Sequence, residues 1–358
     1  MSAVGPRGRR LVSVVVPCYK YGHFLGDSVG SVLAQDDVDV EVIIVDDASP
    51  DDSVAVAREL AAADDRVRVI AHDRNSGHIA TYNEGLAQGT GDYLVLLSAD
   101  DALGPGALAR AVSLMESRPN VGFTYGTVTR IEGEIPHASD RSGKVRIWDG
   151  HVWLSRRCRR ATNCIFSPEV VMRRSLYARV GPYRKDLPHT GDLAMWLRAA
   201  ALSDVAFIGG PPAAFYRVHG SNMHSEAYSA GRVSGMIFDL EQRRLAFRGF
   251  ADLAAPDGRN RLEHLAELAM RNLSAEALAA ASRAFAWGLT ESWPLESLIG
   301  FAIETWPEAR DLPQWRRLEF RMGLGPQRSV AHPGVRVTEK ALGLRRRLLE
   351  WREAAVRA

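Results

Sequence analysis

Several kinds of residue and motif are scarce in this chain of 358 residues, and each scarcity excludes something. Cysteine occurs three times, as Cys18, Cys158 and Cys164, at no zinc-ligand spacing, and the odd number argues against a disulfide framework. A reducing cytoplasm is the compartment this usage predicts, and Cys164 is expected to pack as a small apolar residue. Net charge is small: 45 Lys and Arg against 43 Asp and Glu leave +2, so no general affinity for nucleic acid is implied. No run of about 18 apolar residues occurs, so no membrane-spanning helix is expected. The N-terminal MSAVGPRGRR is basic, but only a short strand-like run interrupted by Pro17 follows it, unlike a signal peptide. Neither a P-loop nor the dinucleotide G-x-G-x-x-G follows the first strand. There is no internal repeat and no low-complexity tract. What remains is an ordinary globular composition, with a length that suits two domains.

The stretch around which the rest is organised is Tyr93 to Asp101, YLVLLSADD. Its uninterrupted apolar start reads as a central strand buried on both faces. It ends in two adjacent carboxylates, Asp100 and Asp101. In open α/β sheets ligands bind beyond the carboxyl ends of the strands. Like charges so close favour a cation beside them, and a hard divalent ion on oxygen ligands would also carry substrate phosphates. The competing reading is a loop whose acids merely cap the next helix.

Upstream, strands are expected at Leu11–Val16, Val40–Val45 and Val67–Ala71. Helices are expected over Phe24–Ala34, from Asp51 or Asp52 to about Ala62, and over His78–Gln88. This alternation predicts βαβ units and a parallel sheet with right-handed crossovers. A helix after Gly104-Pro105 and a strand over Val121–Ile131 follow. Beyond Glu132 the pattern loosens. Gly143–Trp148 reads as a strand, Arg156, Arg157, Arg159 and Arg160 as a solvated basic loop or a contact for an anionic acceptor, and Asn163–Phe166 as extended. Pro188-His189-Thr190-Gly191 leads into a helix with Asp192 in its first turn and Leu193, Trp196, Leu197 and Ala200 on one side. Val205–Ile208 and Ala213–Gly220 are extended. The sheet domain is placed at 1–228 and a mainly helical region at 229–358. The last segment, Thr338–Val356, pairs an apolar stripe with Arg345–Arg347. It suits docking on the catalytic domain, self-association, or contact with the anionic inner face of a membrane.

Tyr19, Asp46-Asp47 and Asp100-Asp101 thus follow three strands at one sheet edge. The Asp46-Asp47 pair can accept hydrogen bonds from a base or ribose. Without a glycine-rich phosphate loop, a diphosphate would be met by a cation at the second acid pair.

The motifs VSVVVPCYK, VEVIIVDDAS, RNSGH, GTGDYLVLLSADD and TGDLAMWLR, in this order and spacing, resemble family-2 inverting glycosyltransferases of the GT-A fold, over roughly Leu11 to Ser225. The resemblance implies a nucleotide-diphospho-sugar donor, usually a UDP-sugar, a divalent metal (Mn²⁺ or Mg²⁺), and a glycan, lipid-linked or small-molecule acceptor. By position, Pro17 and Tyr19 line the nucleotide pocket, Asp47 holds the base, Asp100 contacts the ribose, Asp101 binds the metal and Asp192 is the catalytic base. His219, in YRVHG, is a further metal or phosphate ligand or a hydrogen-bonded structural histidine; Asn75 holds the nucleotide or makes the turn. The sequence departs from the family at Ser98, where an acid is common, at Tyr82, where arginine is frequent, and at Gly191, before the base. The Q-x-x-R-W signature of processive members is absent. Two other readings are a sugar-nucleotide pyrophosphorylase, for which PCYKYGHF lacks the glycine-rich basic loop, and a binding module that has lost catalysis, opposed by Asp101 and Asp192.

Overall fold

The computed structural model describes residues 9–136, 143–222, 233–253, 259–286 and 292–322. Its centre is an eight-stranded mixed sheet. The first half comes from β1 (Leu11–Cys18), α1 (Gly22–Leu33), β2 (Asp39–Asp46), α2 (Ser53–Ala63), β3 (Val67–Ala71), α3 (His78–Gln88) and β4 (Tyr93–Leu96). These strands run parallel in the order β3-β2-β1-β4. The chain therefore steps outward from β1 on one side and returns on the other. Such a reversal opens a crevice at the carboxyl ends of β1 and its neighbours.

Strand periodicity fixes which residues go to which face. Val12, Val14 and Val16 of β1 join Val40, Val42 and Ile44 of β2 under α1. Val15, Ile43 and Val45 face the opposite layer, with Ile79 and Leu86 of α3. Because both faces are covered, the strands read as continuous apolar runs.

The second half of the sheet adds α4 (Ala107–Ser117), β6 (Val121–Gly126), β8 (Val145–Trp148), α5 (Gly150–Arg160), β9 (Val171–Arg173), α6 (Arg174–Val180), α7 (Gly191–Ala200) and β10 (Asp204–Ile208). Its order continues β4-β9-β6-β10-β8, with β9 antiparallel to both neighbours. The stretch expected as one strand over Val121–Ile131 is broken at Thr127 into β6 and β7 (Val128–Ile131), which belong to different sheets. Thr127 turns away because its hydroxyl donates to the Gly210 carbonyl and its own carbonyl accepts from Ala213. A three-stranded sheet results, β5 (Ala102–Leu103)-β11 (Ala214–Arg217)-β7. It carries the segment after β11 back to the turn that ends β4.

The arginine-rich stretch expected as a loop is helix α5. Arg156, Arg159 and Arg160 are exposed and Arg157 is buried. Trp153, Leu154 and Cys158 supply its buried face, and Asp149 caps its first turn through the N–H groups of His151 and Val152. Four further α-helices follow among the described residues: α8 (Val233–Arg248), α9 (Arg259–Ala286), α10 (Ser292–Thr305) and α11 (Pro313–Arg321). They cover the face that carries α3, α5 and α7. The segment Thr338–Val356 lies outside the described residues. Among those described, no helix is long and apolar enough to cross a membrane.

Candidate active site

The carboxyl ends of β1, β2 and β4 open into a cleft of about 1110 Å³. Pro17, Cys18, Tyr19 and Lys20 line it after β1. Lys20 has the left-handed backbone φ of 65°, unusual for a side chain with a Cβ, and Ala48 after β2 has 57°. The two strained turns are joined, since the Lys20 N–H donates to Ser49 Oγ at 3.0 Å. The Lys20 ammonium lies 4.9 Å from the centre of the Tyr19 ring.

The two acids after β2 part company. Asp46 is fully buried and accepts the N–H and hydroxyl of Ser49 at 2.9 and 2.6 Å, and it does not line the cleft. Asp47 does line it. Its carboxylate accepts the N–H groups of Ser76 and Gly77 at 2.7 and 2.9 Å and lies 2.8 Å from His72 Nδ1. Asn75 donates to the Asp47 carbonyl at 3.2 Å. Burial alone would raise the pKa of Asp47, but these donors outweigh it and hold the carboxyl below its ordinary range. His72 is bridged to Glu84 at 2.9 Å on its other nitrogen. Asp47 thereby fixes the Asn75–Gly77 turn, and both residues face the cleft together.

Asp100 and Asp101 follow β4 and are 7% and 2% exposed. Burial pushes both carboxyls up, Asp101 strongly, because Asp100 adds its charge. The return segment from β11 meets them. The Arg217 N–H donates to Asp101 at 3.0 Å, and its guanidinium donates to the Asp100 carbonyl at 3.0 Å and to Asp27 at 2.8 Å. His219 Nε2 lies 3.2 Å from Asp100 and the Asn222 amide donates to the same oxygen at 3.2 Å. His219 thus meets Asp100, not Asp101 with which the sequence reading grouped it as a metal ligand. Among the described residues no three His, Cys, Asp or Glu side chains are arranged to hold a metal by themselves. Two repelling buried carboxylates and an imidazole still suit a hard cation, provided ligand oxygens complete the shell.

Asp192 stands in the first turn of α7, across the cleft. The Ser167 hydroxyl donates to its carboxylate. Leu193, Trp196 and Leu197 are buried, which anchors the helix that carries it. All but one of the expected site residues line this cleft, Asp46 being the exception. The sequence reading missed Lys20, His78, Phe166, Ser167 and Asn222, and it singled out Tyr82, which also lines the cleft, as a departure from the family. It also missed Asp239, Arg243 and Glu276, which come from α8 and α9. Cys164, expected to pack as a small apolar residue, is exposed at the cleft wall.

Residues 13–180 match the model of glycosyl transferase family 2. Over these residues the chain is similar to family 2 glycosyltransferases. An uncharacterised glycosyltransferase of Nostoc is 29% identical over 236 residues, 61% of this chain and 68% of its own length. The succinoglycan biosynthesis protein ExoO of Rhizobium meliloti is 38% identical over 101 residues, 28% of each chain. Residues 1–349 of S. aureus TarS, solved in complex with UDP-GlcNAc, superpose with a TM-score of 0.54 at 15% identity, covering 90% of this chain and 95% of that one. Against a longer TarS chain the coverage is 49% of that chain. The shared fold is GT-A, and the enzyme class is glycosyltransferase. Asp192 and His219 both fall beyond the matched segment.

Proposed function

We propose that this glycosyltransferase moves a sugar from a nucleotide-diphosphate donor, a UDP-sugar, to an acceptor hydroxyl with inversion, one sugar at a time, in the building of a polysaccharide or related glycan. The observation that carries the reading is that Asp47, the Asp100-Asp101 turn and Asp192 all open into one cleft. Asp47 keeps acceptor capacity for a base N–H on Oδ2, which among the described residues accepts the Gly77 N–H. Pro17, Tyr19 and Asn75 wall the same end. Asp100 and Asp101, with His219, would hold a divalent cation. When bound, such an ion supplies Lewis-acid stabilisation of the charge that grows on the leaving diphosphate. Lys20 is a second cation at that edge. Asp192 faces the acceptor side, where it takes the proton of the attacking hydroxyl. The Ser167 hydroxyl fixes its orientation.

ExoO, named for succinoglycan biosynthesis, supports a glycan acceptor, and the complex of TarS makes UDP-GlcNAc the first donor to assay. The test is UDP release from a panel of UDP-sugars, with Mn²⁺ and with excess chelator, followed by NMR of the anomeric centre in the product. Asp192→Asn keeps the shape and removes the basicity. It should lower kcat by about 10²–10⁴ while UDP affinity stays near wild type. A retained anomeric configuration, or full turnover in this variant, would remove Asp192 from the role.

A further inference from the structure

Two segments meet at Asp192, and both are tied to the same helix. The first is the turn that leads into α7. Gln242 of α8 accepts the His189 N–H at 3.3 Å through Oε1 and donates to the Asp186 carbonyl at 3.3 Å through Nε2. Its backbone carbonyl accepts the Thr190 hydroxyl at 3.0 Å. One turn earlier, Asp239 lies 2.9 Å from His189 Nε2. The second segment follows α5 and carries Ser167. There Arg243 donates to the Ala161 carbonyl at 2.9 Å. Arg243 is 7% exposed and is itself fixed by Asp239 at 2.8 Å and by both oxygens of Glu276 at 2.9 Å. Adjacent residues of α8 therefore hold the two backbones whose side chains, Asp192 and Ser167, are hydrogen-bonded to each other.

We infer that Gln242 and Arg243 are positioning residues for the transfer step, so that the helical region beyond the family 2 match sets the geometry of the base. The inference rests on Asp192 as that base. A carboxylate displaced by about 1 Å can lose a hundredfold in rate while the donor end of the cleft is untouched. The proposed donor and cation contacts follow β1, β2, β3, β4 and β11, whereas Gln242 and Arg243 bond to Ala161, Asp186, His189, Thr190, Asp239 and Glu276 among the described residues.

The experiment compares Gln242→Ala, Arg243→Lys and Asp192→Asn in the full chain. Arg243→Lys keeps the charge but loses the fork that reaches Ala161 and Glu276 together. Turnover of UDP-sugars is measured beside calorimetric UDP affinity in Mn²⁺ and the melting temperature. Expected for Gln242→Ala is a kcat lower by about tenfold to a hundredfold, with donor KM and UDP affinity within about twofold of wild type. Arg243→Lys should follow the same split, and if it fails to fold Gln242→Ala decides alone. Wild-type kcat in Gln242→Ala beside an inactive Asp192→Asn overturns the positioning role and leaves the base assignment standing. Loss of UDP affinity in step with kcat overturns it as well, since a general loosening would do that. Wild-type turnover in Asp192→Asn overturns both.

Discussion

Single carboxylates in this cleft are set to different tasks by what surrounds them. Asp47 sits among donors and stays ionised, whereas Asp101 is buried beside Asp100, and the backbone N–H and charge of Arg217 do not offset this. A cation is the natural relief for the second arrangement. Asp101→Asn is therefore expected to abolish the gain in UDP affinity that Mn²⁺ brings, seen by calorimetry, and turnover with it. Equal UDP affinity with and without Mn²⁺ in the wild type would contradict the assignment. His72 offers a pH test. Burial lowers its pKa, but Asp47 and Glu84 raise it above the ordinary 6.5. A raised folded value means that its stabilisation is complete below 6.5 and is lost as pH rises through the folded value. Asp47, lowered below 3.8, contributes above 3.8 and fails only as pH falls through its own folded value. The difference in melting temperature between wild type and His72→Gln should thus be largest below the ordinary 6.5 and shrink as pH rises above it. A constant difference would mean that His72 acts by packing alone.

At the scale of elements, the sequence was most readable where one period ruled. Val67–Ala71 and His78–Gln88 match the expected strand and helix end to end, because apolar spacing, the Asn75–Gly77 turn and Gly89 all agree. Helix α5 was hidden by arginines at four of its last five positions, and its apolar face shows only against the sheet. The split of Val121–Ile131 depends on Thr127 bonding to residues more than 80 positions away, which no local pattern contains. Of the site, the acids at strand ends were legible from their motifs. Asp239, Arg243 and Glu276 were not, since they reach the cleft by tertiary packing and carry no spacing signal. The seat of α3 on β1 and β2 gives a sharp test. A Cβ on Gly85 would lie 2.3 Å from the Val15 Cγ1 and 3.0 Å from the Val45 Cγ2. Overpacking at the severe end costs about 3 kcal/mol, against a gain of about 1 kcal/mol in helix propensity. Gly85→Ala should lose about 2 kcal/mol in a urea titration, and a stabilised variant would mean that α3 can shift freely on the sheet.

For the molecule as a whole, the place where architecture changes from sheet to helices is not a place where the core ends. One apolar cluster runs from Val15 and Ile43 in the sheet, through Trp153, Cys158 and Trp196, to Leu240, Phe247, Leu273 and Met322. Helices α8 to α11 therefore cover a face that the sheet domain cannot leave in water, and two independent folding units are not expected. Phe247 of α8 is fully buried in this cluster, so Phe247→Ala should cost about 3–5 kcal/mol. Because the core is shared, the loss should not be confined to the helices. The full chain should unfold in one transition, with tryptophan fluorescence and UDP binding lost at the same denaturant concentration, and Phe247→Ala should move both midpoints together. Two separated transitions, only the later one abolishing UDP binding, would show that the helical region unfolds alone. It would also show that the sheet keeps its donor site without the helices that hold the base.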